Sequence, residues 1–205
     1  MQQAGEQRRA PGRTRSCVLG GLLGLILSVP MAYGLIKWES VHRGVEVNHW
    51  RVSFGTGDYG HRYLLRAAIA LYSLGNAIPE EALFFHAFED NQGRRLNGKY
   101  RYRITFAKGQ LPPVDAFWSL TAYSASDSFL VPNPMGRYSI STRTPGVQSN
   151  ADGSLTFDLQ VQTPANTANW LPVAADDFTI TLRTYIPRPE LMQLRWVPPA
   201  IERVE

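Results

Sequence analysis

Residues 17–36, CVLGGLLGLILSVPMAYGLI, carry no charged side chain, and so uniformly apolar a run cannot share a solvated fold with the residues that follow it. As a helix rising ~1.5 Å per residue, it covers the ~30 Å hydrocarbon core of a bilayer. Arg8, Arg9, Arg13 and Arg15 stand before it against the single acid Glu6. By the positive-inside rule that flank stays in the cytoplasm and the rest of the chain is carried across. The expected organisation is a basic cytoplasmic tail (1–16), a bilayer-spanning anchor (17–37), a neck (38–57) and a periplasmic domain (58–205). This describes a single-pass protein of the inner membrane whose first partner is the lipid bilayer. A cleaved signal peptide is the competing reading: an apolar core from Val18 to Val29, a break at Pro30, and small residues at Ala32 and Gly34. The run exceeds the usual signal core of about 7–15 residues, which favours the anchor.

The isoelectric point of 9.4 suggests a basic protein, but the charge sits in the wrong place for that. Residues 1–37 hold five basic side chains and one acid; removing them from the totals of 21 and 17 leaves 16 of each. A neutral exported domain excludes nucleic acid as the expected partner. Cys17, the single cysteine, opens the apolar run. The domain beyond it therefore has neither a disulfide nor a cysteine metal site and must cohere by packing.

Beyond the anchor, residues 45–54 alternate and read as a strand or extended neck. A helix is expected from Asp58 to Leu74, where Leu64, Leu65, Ala68, Ile69 and Tyr72 recur at helical spacing before Gly75. From Ala82 the period changes to two. Strands are expected at 83–88, 99–106, 116–123, 137–141, 154–162 and 177–185, separated by clusters such as Asn91-Gln92-Gly93 and Asn150-Ala151-Asp152-Gly153. The pattern predicts a mainly β fold: an antiparallel β-sandwich or jelly roll after one amphipathic helix. The proline-rich tail (Pro187, Pro189, Pro198, Pro199) is expected to wrap the outside.

Several ordered pieces resemble the bacterial domain-of-unknown-function 1214 family. They include Ala116-Phe117-Trp118-Ser119-Leu120-Thr121, Phe129-Leu130-Val131-Pro132-Asn133-Pro134, Ala168-Asn169-Trp170-Leu171-Pro172, Thr181-Leu182-Arg183 and Pro198-Pro199-Ala200-Ile201. Tyr63-Leu64-Leu65-Arg66-Ala67-Ala68 and Leu96-Asn97-Gly98 fit as well, so the likeness covers roughly residues 58–205. The resemblance implies a β-sandwich-like fold and carries no agreed activity, so no catalytic residue is transferred. Longer members have a separate N-terminal domain where this sequence has the apolar anchor.

Glu80, Glu81, His86, Glu89 and Asp90 are the nearest approach to a catalytic cluster. Acid–base chemistry by Glu81 with His86 is weighed against structural roles, and no nucleophile elbow or His-Glu-x-x-His pair accompanies them. Arg137 with Tyr138, after Asn133-Pro134, could clamp a carboxylate or phosphate, or could satisfy loop carbonyls. Trp170 beside Asn169 sits in a polar loop where an aromatic face could line a ligand surface. Arg94, Arg95, Lys99, Arg101, Arg103 and Lys108 form a cationic stretch suited to lipid headgroups or an anionic envelope polymer, or to blunting a sheet edge. No metal and no cofactor are expected. The sequence predicts a binding or accessory module of the cell envelope rather than an enzyme. The alternative is an envelope hydrolase acting on a sugar- or lipid-derived substrate.

Overall fold

The computed structural model of the protein describes residues 12–42, 44–72 and 77–204, which fall into two units. The first holds two helices. Helix α1 (Gly12–His42) takes in the whole apolar run and passes through Pro30 without a break. Its span Arg15–Ser40 is long and apolar enough to cross a membrane. The side chains from Val18 to Leu35 are exposed, as lipid-facing residues would be. Trp38 and His42 stack at its end, ring centres 4.9 Å apart. Arg8 and Arg9 of the basic flank lie outside the described residues.

Helix α2 (Tyr63–Tyr72) starts later than Asp58. Gly57 and Gly60 stand at φ +93° and +48°, a left-handed path that delays helix entry. A Cβ on Gly57 would come within 2.4 Å of the Ile78 nitrogen. Leu65 and Ala68, three residues apart, form the buried side of α2. Leu74 and Gly75, the expected end of this helix, lie outside the described residues.

The second unit is the β-sandwich. Its strands are β1 (Val45–Val47), β2 (Trp50–Val52), β3 (Ala82–Ala87), β4 (Arg101–Phe106), β5 (Val114–Ser124), β6 (Ser139–Ile140), β7 (Leu155–Gln160), β8 (Trp170–Pro172), β9 (Phe178–Pro187) and β10 (Ile201–Val204), with the short helix α3 (Pro189–Met192) after β9. One sheet runs β1-β2-β3-β9-β5-β6 and is antiparallel throughout; the other runs β10-β4-β7-β8. The sandwich is antiparallel except where β7 meets β8 in parallel.

Period-two alternation sorts the faces. On β4, Tyr102, Ile104 and Phe106 are buried while Arg101, Arg103 and Thr105 are exposed. On β7, Leu155, Phe157 and Leu159 go inward. They meet Trp118 and Leu120 of β5 and Ile180 and Leu182 of β9 in one core. Phe106 contacts Trp118 at 5.1 Å between ring centres, and Trp118 contacts Phe157 at 6.1 Å. Each such pair adds about 0.5–1.5 kcal/mol beyond area burial. This packing holds the sandwich together without a disulfide, since Cys17 of α1 is the single cysteine.

Two segments differ from expectation. Residues 45–54 form a hairpin rather than one strand, because Asn48 and His49 both take positive φ and turn the chain; β2 then pairs with β3. The tail does not stay outside. Trp196 and Ile201 are buried, β10 pairs with the edge of β4, and the carbonyls of Pro198 and Pro199 accept hydrogen bonds from Asn48 Nδ2 and Trp50 Nε1, both at 2.8 Å.

Candidate functional site

Opposed residues in an antiparallel sheet point to the same face. Across β2, β3, β9 and β5 the register aligns Arg51, His86, Thr181 and Thr121 in one row. The neighbouring row is Phe84, Arg183 and Ser119. Both rows lie on the side away from the core, where a free sheet face would be solvated. Instead Thr181 is 2% exposed, Thr121 is 4% exposed, and His86 and Arg183 are half-buried.

Within this patch His86 Nδ1 and Thr181 Oγ1 share a hydrogen bond of 3.1 Å. Arg183 donates Nη1–H to Thr121 Oγ1 at 2.8 Å and Nη2–H to the Tyr123 hydroxyl, with its guanidinium carbon 5.3 Å from the Tyr123 ring centre. Burial, and then the charges of Arg183 and Arg51, lower the pKa of His86 from 6.5 to about 4. The imidazole is thus neutral at physiological pH in a positive field. Farther along the face Tyr185 stacks on Phe117 at 4.4 Å and meets Phe84 edge-on at 6.5 Å. A cationic, hydroxyl-lined patch beside aromatic rings can bind an anion and orient an apolar body; the acid in its row, Glu46, stands opposite Arg51 on β1.

The sequence-predicted candidates do not converge. Glu81 is exposed in the turn just before β3, at the opposite end of that strand from His86. Arg137 does not present a free fork: its Nη1 donates to the carbonyls of Thr167, Ala168 and Trp170 at 2.6, 3.2 and 2.9 Å. Tyr138 is exposed nearby in sequence. Asn169 spends its amide on the Gln148 and Thr156 carbonyls and accepts from Gln148 N–H. Trp170 offers no ring to a ligand, since it is fully buried with its indole N–H on the Gln160 carbonyl at 2.9 Å. Trp50, Trp118 and Trp196 of the sandwich are buried as well.

The cationic stretch meets acids, one from its own turn and the others from distant parts of the chain. Arg94 pairs with Asp90 at 2.8 Å, Arg95 with Asp177 at 3.8 Å and Arg103 with Asp158 at 2.8 Å. Glu202 stands opposite Arg103 on β10. Lys99 and Arg101 are exposed beside them. Among the described residues no group of three His, Cys, Asp or Glu side chains could hold a metal.

Thr121, Tyr123, Thr181 and Arg183, which make the patch, were not among the sequence-predicted site residues. Their signal was present in β9, where Thr181, Arg183 and Tyr185 alternate with Ile180, Leu182 and Thr184.

The fold is a two-sheet β-sandwich with a polar patch on the outer face of one sheet, preceded by a helix long and apolar enough to span a membrane. Residues 81–189 match a family described as proteins of unknown function, DUF1214, and the chain belongs to that family. In the crystal structure of the VPA0106 protein from Vibrio parahaemolyticus a similar fold recurs with a TM-score of 0.59 and 22% identity, over 98% of this chain and 47% of that one. The chain thus spans about half the length of that relative. An uncharacterized protein from Burkholderia cenocepacia aligns with a TM-score of 0.40 and 16% identity, over 83% of this chain and 40% of its own. No curated protein matches the sequence.

Proposed function

We propose that this chain is a binding module of the cell envelope, anchored in the inner membrane by α1 with its sandwich in the periplasm, and that its ligand face is the outer side of the six-stranded sheet. The observation that carries the reading is the row His86–Thr181–Thr121 with Arg183: two buried threonines and two half-buried side chains, hydrogen-bonded together on a sheet face that faces away from the core. Sequestered polar groups cost folding free energy unless hydrogen-bonded, and a scaffold that keeps them there on its surface side is built for a partner. The four arginines ahead of residue 17 support the orientation. A hydrolase reading loses its groups, because Glu81 and Arg137 lie away from His86.

Native mass spectrometry of the full chain, purified in detergent from its host membrane, tests this. Wild-type protein should release from the micelle with a bound small molecule, and Thr181→Val, which removes one hydroxyl at constant shape, should lose it. Identical adducts in both proteins, or none in the wild type, would contradict the reading.

A further inference from the structure

Several arginines of the sandwich find anionic or carbonyl partners. Arg94, Arg103 and Arg188 each meet a carboxylate, and Arg137 and Arg143 donate to backbone carbonyls. Arg183 differs. Its partners are two neutral hydroxyls and the Tyr123 ring, and among the described residues it pairs with no acid. A guanidinium has five N–H donors in one plane, of which these bonds use two. A half-buried cation without a counter-charge is costly to maintain. The hydroxyls fix the plane of the fork rather than neutralise it.

We propose that Arg183, aimed by Thr121 and Tyr123 and flanked by His86, binds the carboxylate of a small organic acid on this face. The inference rests on the binding-module reading and names its ligand class. A planar, singly charged, two-oxygen acceptor matches the remaining donors of one guanidinium, and a bidentate pair of this kind is the strongest that arginine makes. Neutral His86 adds a donor or acceptor without adding charge, and Phe84 in the Arg183 row, with Tyr185 beyond it, offers apolar surface to the rest of the acid.

Ligand-observed saturation-transfer NMR on the full chain in detergent micelles at pH 7, with benzoate as the probe, tests the assignment. Acetate and inorganic phosphate serve as competitors at constant ionic strength. Saturable benzoate binding is expected. It should weaken about ten-fold or more in Arg183→Gln, as loss of one charge-assisted pair requires, and stay unchanged in Glu81→Gln. Should Arg183→Gln not fold, Arg183→Lys keeps the charge but loses the planar fork, and the same direction of loss is expected; Tyr123→Phe should fall between. Undiminished benzoate binding in a folded Arg183 variant, or no saturable binding at all, overturns the proposal. Displacement by phosphate at lower concentration than by acetate overturns the carboxylate class. A wild-type adduct that Thr181→Val loses, found alongside an absence of benzoate binding, sinks this inference while the binding-module reading stands.

Discussion

His86 is neutral in the folded protein at physiological pH, because burial and then the charges of Arg183 and Arg51 disfavour its protonated form. The consequence has a definite sign. Between pH 6.5 and about 4 the unfolded chain carries a proton on this imidazole that the folded chain does not, so stability falls as pH drops through that window. The full loss amounts to about 3 kcal/mol. Chemical denaturation of the full chain at a series of pH values should show that slope, and His86→Gln should flatten it between pH 6.5 and 4; an unchanged slope would mean that the imidazole titrates as it does in water. Residues of this kind were only half legible. His86 stands out in sequence as the histidine with the most acids around it. Its real neighbours, Thr181, Arg183 and Arg51, come from other strands, and only the sheet register brings them together. Arg137 shows the reverse case: a loop arginine with the look of an anion clamp is anchored through Nη1 by three carbonyls that its sequence neighbourhood does not reveal.

Elements whose burial pattern repeats along one strand could be read directly. β4 and β7 alternate without interruption, and their two faces follow from composition alone. The β1–β2 hairpin could not be read this way, because its turn uses Asn48 and His49 where Asn-Gly would have announced it. The trace left in the sequence is a break in parity: Val45 and Val47 are in phase, while Trp50 and Val52 are out of phase with them. β10 was hidden by Pro198 and Pro199, which bar a central strand but allow the chain to start an edge strand just after them. A left-handed φ of 64° at His49 carries a steric cost that glycine avoids. His49→Gly should therefore stabilise the protein by about 1 kcal/mol, a rise in melting temperature of about 2–4 °C by circular dichroism. A lower melting temperature would show that the imidazole itself holds the turn.

At the scale of the whole molecule, α1 and the sandwich place their apolar side chains in opposite ways. Helix α1 exposes Leu and Ile side chains along its length, whereas the sandwich turns its large hydrophobic residues into a core that includes four tryptophans. That division was legible from the charge-free run and from the neutral balance of everything after residue 37. The polar face of the six-stranded sheet was not, because it depends on which strands become neighbours: β9 lies between β3 and β5 although far from both in sequence. Placing that face beyond the membrane is the central claim. Since Cys17 is the only native cysteine and lies in α1, a single exposed cysteine introduced by Ala151→Cys reports the location of the sandwich cleanly. In intact spheroplasts a membrane-impermeant maleimide should label the Ala151→Cys protein and leave the wild type unlabelled. Labelling only after the membrane is broken would place the sandwich in the cytoplasm and contradict the account.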